Sequence, residues 1–160
     1  MALSSLTEYL DKHHTRYIVI SHSAAFTAQG IAALAHISGK ELAKTVMVKL
    51  DGKLVMTVLP AAFHVDLEAL KQLTGRKHAE IAAEEDFRDL FPECEIGAMP
   101  PFGNLYGIEL LAEESLGEHR EITFNACTHR ELIRLEWADF QKLARPRVMR
   151  FAAGRSAGAA

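Results

Sequence analysis

Apolar positions recur near the start of the chain at spacings of three and four, as Leu3, Leu6 and Leu10. That period puts them on one face of a helix, with Ser4 or Ser5 as its cap and an end near His13-His14. The period then changes. Tyr17, Ile18, Val19 and Ile20 make a largely β-branched run that predicts a strand over 16–21. Ile31, Leu34 and Ala35 return to helical spacing, capped by Thr27 and stopped near Gly39. Residues 38–41, Ser-Gly-Lys-Glu, predict a turn into a short helical segment.

The strongest local signal lies at Asp51-Gly52. Two apolar runs, 46–50 and 54–59, flank a dipeptide that supplies the positive φ angles of a type I′ turn, so a β-hairpin is expected. Pro60 ends its second strand. Asp66 caps a helix whose face is Leu67, Leu70 and Leu73, and Gly75 closes it. A short strand over 79–82 and a helix over 83–91 follow. The acids Glu84, Glu85 and Asp86 lie in that helix's first turn, where the backbone dipole favours them. Residues 97–104 form a Gly/Pro loop. Strands are expected over 108–111, 121–125, 131–135 and 148–151, with a helix over 137–144. Strands and helices mix without strict βαβ alternation, which predicts an α/β chain of α+β character. Its mixed sheet is wrapped by helices in a single domain. Residues 1–153 are assigned to that domain and 154–160 to a frayed tail.

Composition narrows the function. A chain of 160 residues, 49% hydrophobic, can bury a sizeable core. A net charge of −3 argues against gripping long stretches of nucleic-acid backbone, and so against general DNA binding. It leaves room for a protein that touches only the end of an RNA. Arg76-Lys77 and Arg145, Arg147 and Arg150 read as solvated surface charge. Two cysteines, Cys94 and Cys127, do not suggest a disulfide scaffold in a domain this size. No signal-peptide run opens the sequence, and the most apolar stretch, 54–63, is far short of the ~20 residues a spanning helix needs. A cytoplasmic location without membrane contact is expected by default.

Generic catalytic motifs are missing. There is no phosphate loop, dinucleotide fingerprint, nucleophile elbow or H-E-x-x-H. The eight histidines show no spacing typical of a zinc site, so neither a metal nor another cofactor is expected. Cys127 and His129 on one strand would be ~7 Å apart, too far for thiol activation. Lys44 is placed at a helix-to-strand junction, just before the strand at 46–50, where an amine can meet a phosphate as a point charge. The loop Gly97-Ala98-Met99-Pro100-Pro101-Phe102-Gly103-Asn104 combines prolines that fix φ with glycines that admit close backbone approach. It reads equally well as a ligand loop or as a rigid connector. A neutral imidazole at His129 can shape a pocket or hydrogen-bond an ester.

Three segments together resemble the YbaK, or prolyl-tRNA-synthetase-associated (ProX-like), editing domains. They are Glu41-Leu42-Ala43-Lys44-Thr45-Val46, the 97–103 loop and Phe124-Asn125-Ala126-Cys127-Thr128-His129. The resemblance spans about residues 4–151. It implies a mixed, partly barrel-like sheet surrounded by helices, in an enzyme that hydrolyses the ester of a mischarged tRNA. It assigns the hallmark functional lysine to Lys44, the substrate loop to Gly97, Ala98, Met99, Pro100, Pro101, Phe102 and Gly103, and a pocket position to His129. Thr45 stands beside the lysine where alanine-specific members carry Asn. Cys127 stands where many relatives carry Gly.

What the resemblance implies chemically is a site that positions rather than one with a triad or metal. Lys44 would hold the terminal phosphate or orient the 3′ end. Loop backbone would orient ester and water, and a ribose hydroxyl would assist proton transfer. The expected substrate carries a small amino acid of the Ala, Ser, Thr or Cys class. The expected partners are the aminoacyl-tRNA acceptor end and an aminoacyl-tRNA synthetase. A non-catalytic tRNA- or aminoacyl-binding module is the alternative, and a thiol hydrolase using Cys127 a more distant one.

Overall fold

The computed structural model describes residues 2–21 and 41–153. The helix expected from Thr27 and the expected tail at 154–160 lie outside the described residues.

The Asp-Gly hairpin organises the larger sheet. Strands β2 (Ala43–Leu50) and β3 (Lys53–Pro60) pair antiparallel from Ala43↔Pro60 to Leu50↔Lys53. Asp51 and Gly52 turn the chain at φ 51° and 80°, the signs a type I′ turn requires. Strand β5 (Ala79–Ile81) adds antiparallel to β2, while β6 (Leu110–Glu113) and β9 (Arg147–Met149) add parallel beyond β3, giving the order β5-β2-β3-β6-β9. From Val55 to Pro60 every residue of β3 is buried. This is the signature of a strand covered on both faces, and its sequence is apolar but for Thr57, whose hydroxyl donates to the Val46 carbonyl at 2.7 Å.

Alternation sorts the side chains of the hairpin. Ala43, Met47, Met56 and Val58 belong to the larger apolar cluster, and Val48, Leu50, Val55 and Leu59 to the smaller one. The larger cluster is closed by three elements. Helix α1 (Ala2–Lys12) contributes Leu6 and Leu10. A second sheet β1-β8-β7 (Tyr17–Ser21, Glu131–Glu136, Glu121–Asn125) contributes Ile122, Phe124, Ile133 and Leu135. The last helix, α4 (Trp137–Ala144), contributes Phe140 and Leu143. The smaller cluster is closed by Leu70 of α2 (Leu67–Thr74), with Leu111 and Phe151. Asp66 caps α2 as expected, its carboxylate accepting from the Ala69 N–H at 3.1 Å, and Gly75 ends it at φ 70°.

Several boundaries differ from the sequence reading. Helix α1 begins at Ala2, ahead of Ser4 and Ser5, so neither serine is its cap. The helix expected over 83–91 is one α-turn, α3 (Glu84–Phe87), tightened into a 3-10 turn over Arg88–Leu90. Strand β6 starts two residues later than expected. The final strand divides into β9 and β10 (Ala152–Ala153), which pairs with β4 (His64–Val65). No helical segment precedes Ala43 within 41–42. Leu42 instead forms a parallel bridge to Thr123 and leads straight into β2. Lys44 therefore lies inside a strand, because the full length of β3 offers partners to Ala43, Lys44 and Thr45. The described strands form three sheets with no closed barrel. Among the described residues no helix is long and apolar enough to cross a membrane.

Candidate functional site

The 97–103 loop is fixed from below. Phe102 is fully buried, its ring 5.5–6.2 Å from the rings of Phe140, Phe124 and Tyr9. Ala98 and Met99 are also buried, and so are Pro100, Pro101 and Gly103. Their buried side chains tie the loop to the core. A Cβ at Gly103 would collide with the Ile108 carbonyl oxygen, and the Ile108 N–H donates back to the Gly103 carbonyl at 2.9 Å. Only glycine fits there.

The loop is also stitched to the β7–β8 connection, which carries His129. The Glu95 N–H donates to the Cys127 carbonyl and the Cys127 N–H to the Ala98 carbonyl, both at 2.8 Å. The His129 N–H donates to the Glu95 carboxylate at 2.7 Å. The His129 ring Nε2 lies 2.8 Å from the Ile96 carbonyl oxygen. A carbonyl only accepts, so Nε2 carries a proton in this contact. Gly97 sits against this ring at φ 85°: a Cβ would meet His129 Cε1 at 3.5 Å, an ordinary contact, so glycine is required by the backbone angle. Two of the three sequence segments thus converge on each other. Their link through Glu95 had no signal in the sequence, because a surface glutamate two residues before a glycine is unremarkable.

Lys44 approaches from the hairpin. It pairs with Leu59 and shares that face, while Thr45 pairs with Val58 and shares the face on which Met99 and Phe102 pack. On the far side of β2, β5 covers only Val48–Leu50, and Leu42 is bridged to Thr123. Among the described strands the edge at 44–46 is open. Burial holds the Lys44 amine below its ordinary pKa, and among the described residues no hydrogen bond or ion pair compensates it. A desolvated amine with no described partner is chemically suited to take an anion. Lys44 lies on the opposite face of β2 from Met99 and Phe102, so the loop pair and the lysine are distinct parts of the candidate site.

Cys127 corrects the sequence reading in one respect. It is joined to Cys94, so the two cysteines are not independent packed residues. It lies in the loop between β7 and β8, beyond the strand expected over 121–125. Its sulfur is engaged, and the His129 ring it was paired with in the thiol-hydrolase alternative points at Ile96.

The fold is a small α+β domain, and its candidate site offers a half-buried strand lysine, an imidazole and a loop tied to the core. The chain belongs to the aminoacyl-tRNA editing domain family, whose model matches residues 22–143. It is 26% identical over 151 residues to the multifunctional Ser/Thr-tRNA deacylase ProXp-y of Escherichia coli K12, covering 91% of this chain and 90% of that one. It is 27% identical over 86 residues to a proline–tRNA ligase of Bacillus mycoides, covering 54% of this chain and 15% of the ligase. Among solved structures, a proposed trans-editing enzyme for prolyl-tRNA synthetase superposes with a TM-score of 0.80 at 19% identity, over 96% and 98% of the two chains. The hypothetical protein APE2540 superposes at 0.83 and 17% identity, over 92% and 99%. These likenesses bear out the expected fold and family.

Proposed function

We propose that this chain is a trans-editing deacylase, hydrolysing the ester that joins a small, wrong amino acid to the terminal ribose of a tRNA. The observation that carries this reading is the docking of the 95–98 backbone onto Cys127 and His129 in a chain of the editing family. Water attacks the ester carbonyl, and negative charge develops on the carbonyl oxygen. Fixed dipoles aimed at that charge lower the barrier without reorganising. The loop 97–101 supplies them, and a neighbouring ribose hydroxyl relays the proton to the leaving oxygen. Lys44 holds the terminal phosphate and so sets the position of the 3′ end, with Thr45 beside it. His129 shapes the wall on which the amino-acid side chain rests. The activity in the name of the Escherichia coli relative, a Ser/Thr-tRNA deacylase, supports a small side chain, and the match to a proline–tRNA ligase supports a synthetase partner. Residues 1–153 then work as one editing domain, in the cytoplasm where aminoacyl-tRNA is made.

The test is a deacylation panel. Purified protein should release amino acid from at least one tRNA mischarged with Ala, Ser, Thr or Cys, with a bulky residue such as Phe retained. Saturable binding of every tRNA with no ester loss would make the chain a binding module instead.

A further inference from the structure

Both cysteines of the chain lie at the base of the two stitched loops. Cys94 directly precedes Glu95, whose N–H and carboxylate both bond the opposite loop, and Cys127 supplies the N–H and carbonyl on the other side. Their Cα atoms are 4.3 Å apart across 33 positions of chain, and the sulfurs are joined. Cys127 is buried, whereas Cys94 is partly exposed, with its sulfur 4.0 Å from the Tyr106 hydroxyl. Burial, then Glu93, pushes that hydroxyl up to about 12, so it remains a donor toward a Cys94 thiolate. Cys127 holds φ 72°, a left-handed conformation that glycine adopts freely and cysteine does not. The strained residue is therefore one of the two that make the cross-link, and in the reducing cytoplasm proposed above a cross-link is usually transient and catalytic or redox-sensing.

We propose that Cys94 and Cys127 form a reversible thiol–disulfide switch that sets how firmly the substrate loop is held against His129. The oxidant is a low-molecular-weight disulfide, RSSR. The exposed Cys94 thiolate attacks one sulfur and releases RS⁻. The Cys127 thiolate then attacks Cys94 Sγ in the mixed disulfide and releases the second RS⁻. The two thiols lose two electrons and two protons, and RSSR becomes two RSH. In the oxidised form the bond locks Cys127 in its strained angle and keeps the Glu95, Ala98 and His129 hydrogen bonds closed. Reduction frees Cys127 to relax, and the loop loosens. The effect on catalysis rests on the deacylase reading; the effect on loop order does not.

The full chain is equilibrated in reduced and oxidised glutathione mixtures, and free thiols are trapped with iodoacetamide and counted by mass spectrometry. Amide exchange at Glu95, Cys127 and His129 and deacylation of Ser- and Thr-charged tRNA are then read in each state. The oxidised form should show slower exchange at these amides and about tenfold faster deacylation, which corresponds to about 1.4 kcal/mol of positioning. Cys127→Gly, which adopts the angle without strain, should be insensitive to glutathione with exchange near the oxidised form. Cys94→Ser should be insensitive at the level of the reduced form. Two free thiols at every ratio, or a disulfide that changes neither exchange nor rate, overturns the switch. Absence of ester hydrolysis in every state refutes the deacylase reading, and amide exchange still decides the switch.

Discussion

Lys44 and Gly97 show how a single position acts through charge or through backbone. Burial lowers the Lys44 pKa from its ordinary 10.5, so the unfolded chain binds this proton more tightly than the native one. Stability should rise with pH through the lowered pKa and level off above 10.5, because the cost of a desolvated cation disappears once the amine is neutral. Activity should move the other way, falling as pH rises through the same lowered pKa, because the anion site loses its charge. Lys44→Met should cut single-turnover deacylation by about a hundredfold, the loss that misplacing the reacting ester by about 1 Å can cause. It should leave the urea midpoint unchanged or higher and abolish that alkaline rise in stability. Gly97→Ala meets no clash at His129, but its φ of 85° should cost about 1–2 kcal/mol in urea unfolding and slow deacylation. Lys44 and Gly97 were legible as chemistry-bearing positions only through the combination of segments. Glu95 and the Cys94–Cys127 link were not legible, since partners more than thirty residues apart leave no local trace.

Elements whose ends are set by their own residues were readable. The Asp51-Gly52 turn, the Asp66 cap and the helix over Trp137–Ala144 stand where the pattern put them. Elements set by distant partners shifted. Strand β2 gains Ala43 to Thr45 because β3 reaches Pro60, and β6 ends at Glu113, whose buried carboxylate governs the C-terminal strands. One of its oxygens accepts from the Phe151 and Ala152 N–H groups at 3.0 Å, and the other from Ser115 at 2.7 Å. Truncating it strands buried donors, each costing about 1–3 kcal/mol. Glu113→Ala should therefore lower unfolding free energy by about 3 kcal/mol and free β10 from β4, seen as faster amide exchange at Ala152 and Ala153. Asp66→Ala, losing only a helix cap, should cost about 1 kcal/mol.

The molecule as a whole carries a net −3 charge, yet its basic groups are placed unevenly. Beside the Leu42–Thr123 bridge, Glu41, His119, Arg120, Glu121, Thr123 and Arg134 line a cavity of about 150 Å³. Arg120 is paired with Glu136, while the Arg134 guanidinium donates to the Thr123 hydroxyl at 3.3 Å. Glu41 lies three residues before Lys44, and on the deacylase reading Arg134 at this cavity would meet the acceptor strand. Arg134→Ala should raise KM for charged tRNA several-fold with little change in kcat. If such an end-binding protein meets about three phosphates, log Kd against log salt should have a slope of roughly 2–3.

Sequence alone determined which stretches turn, which are helical and which faces are apolar, because turns, caps and periodicity are written in neighbouring residues. It also determined the set of residues from which a site could be made. Tertiary structure decided that Lys44 lies within a strand at an open edge, that the 97–103 loop hangs from a buried Phe102, and that Cys94, Glu95, Cys127 and His129 meet. Those are consequences of strand pairing and core closure between segments far apart in the chain. Lys44 is the clearest case: its residue type was visible from the start, but its desolvation exists only once the hairpin folds around it.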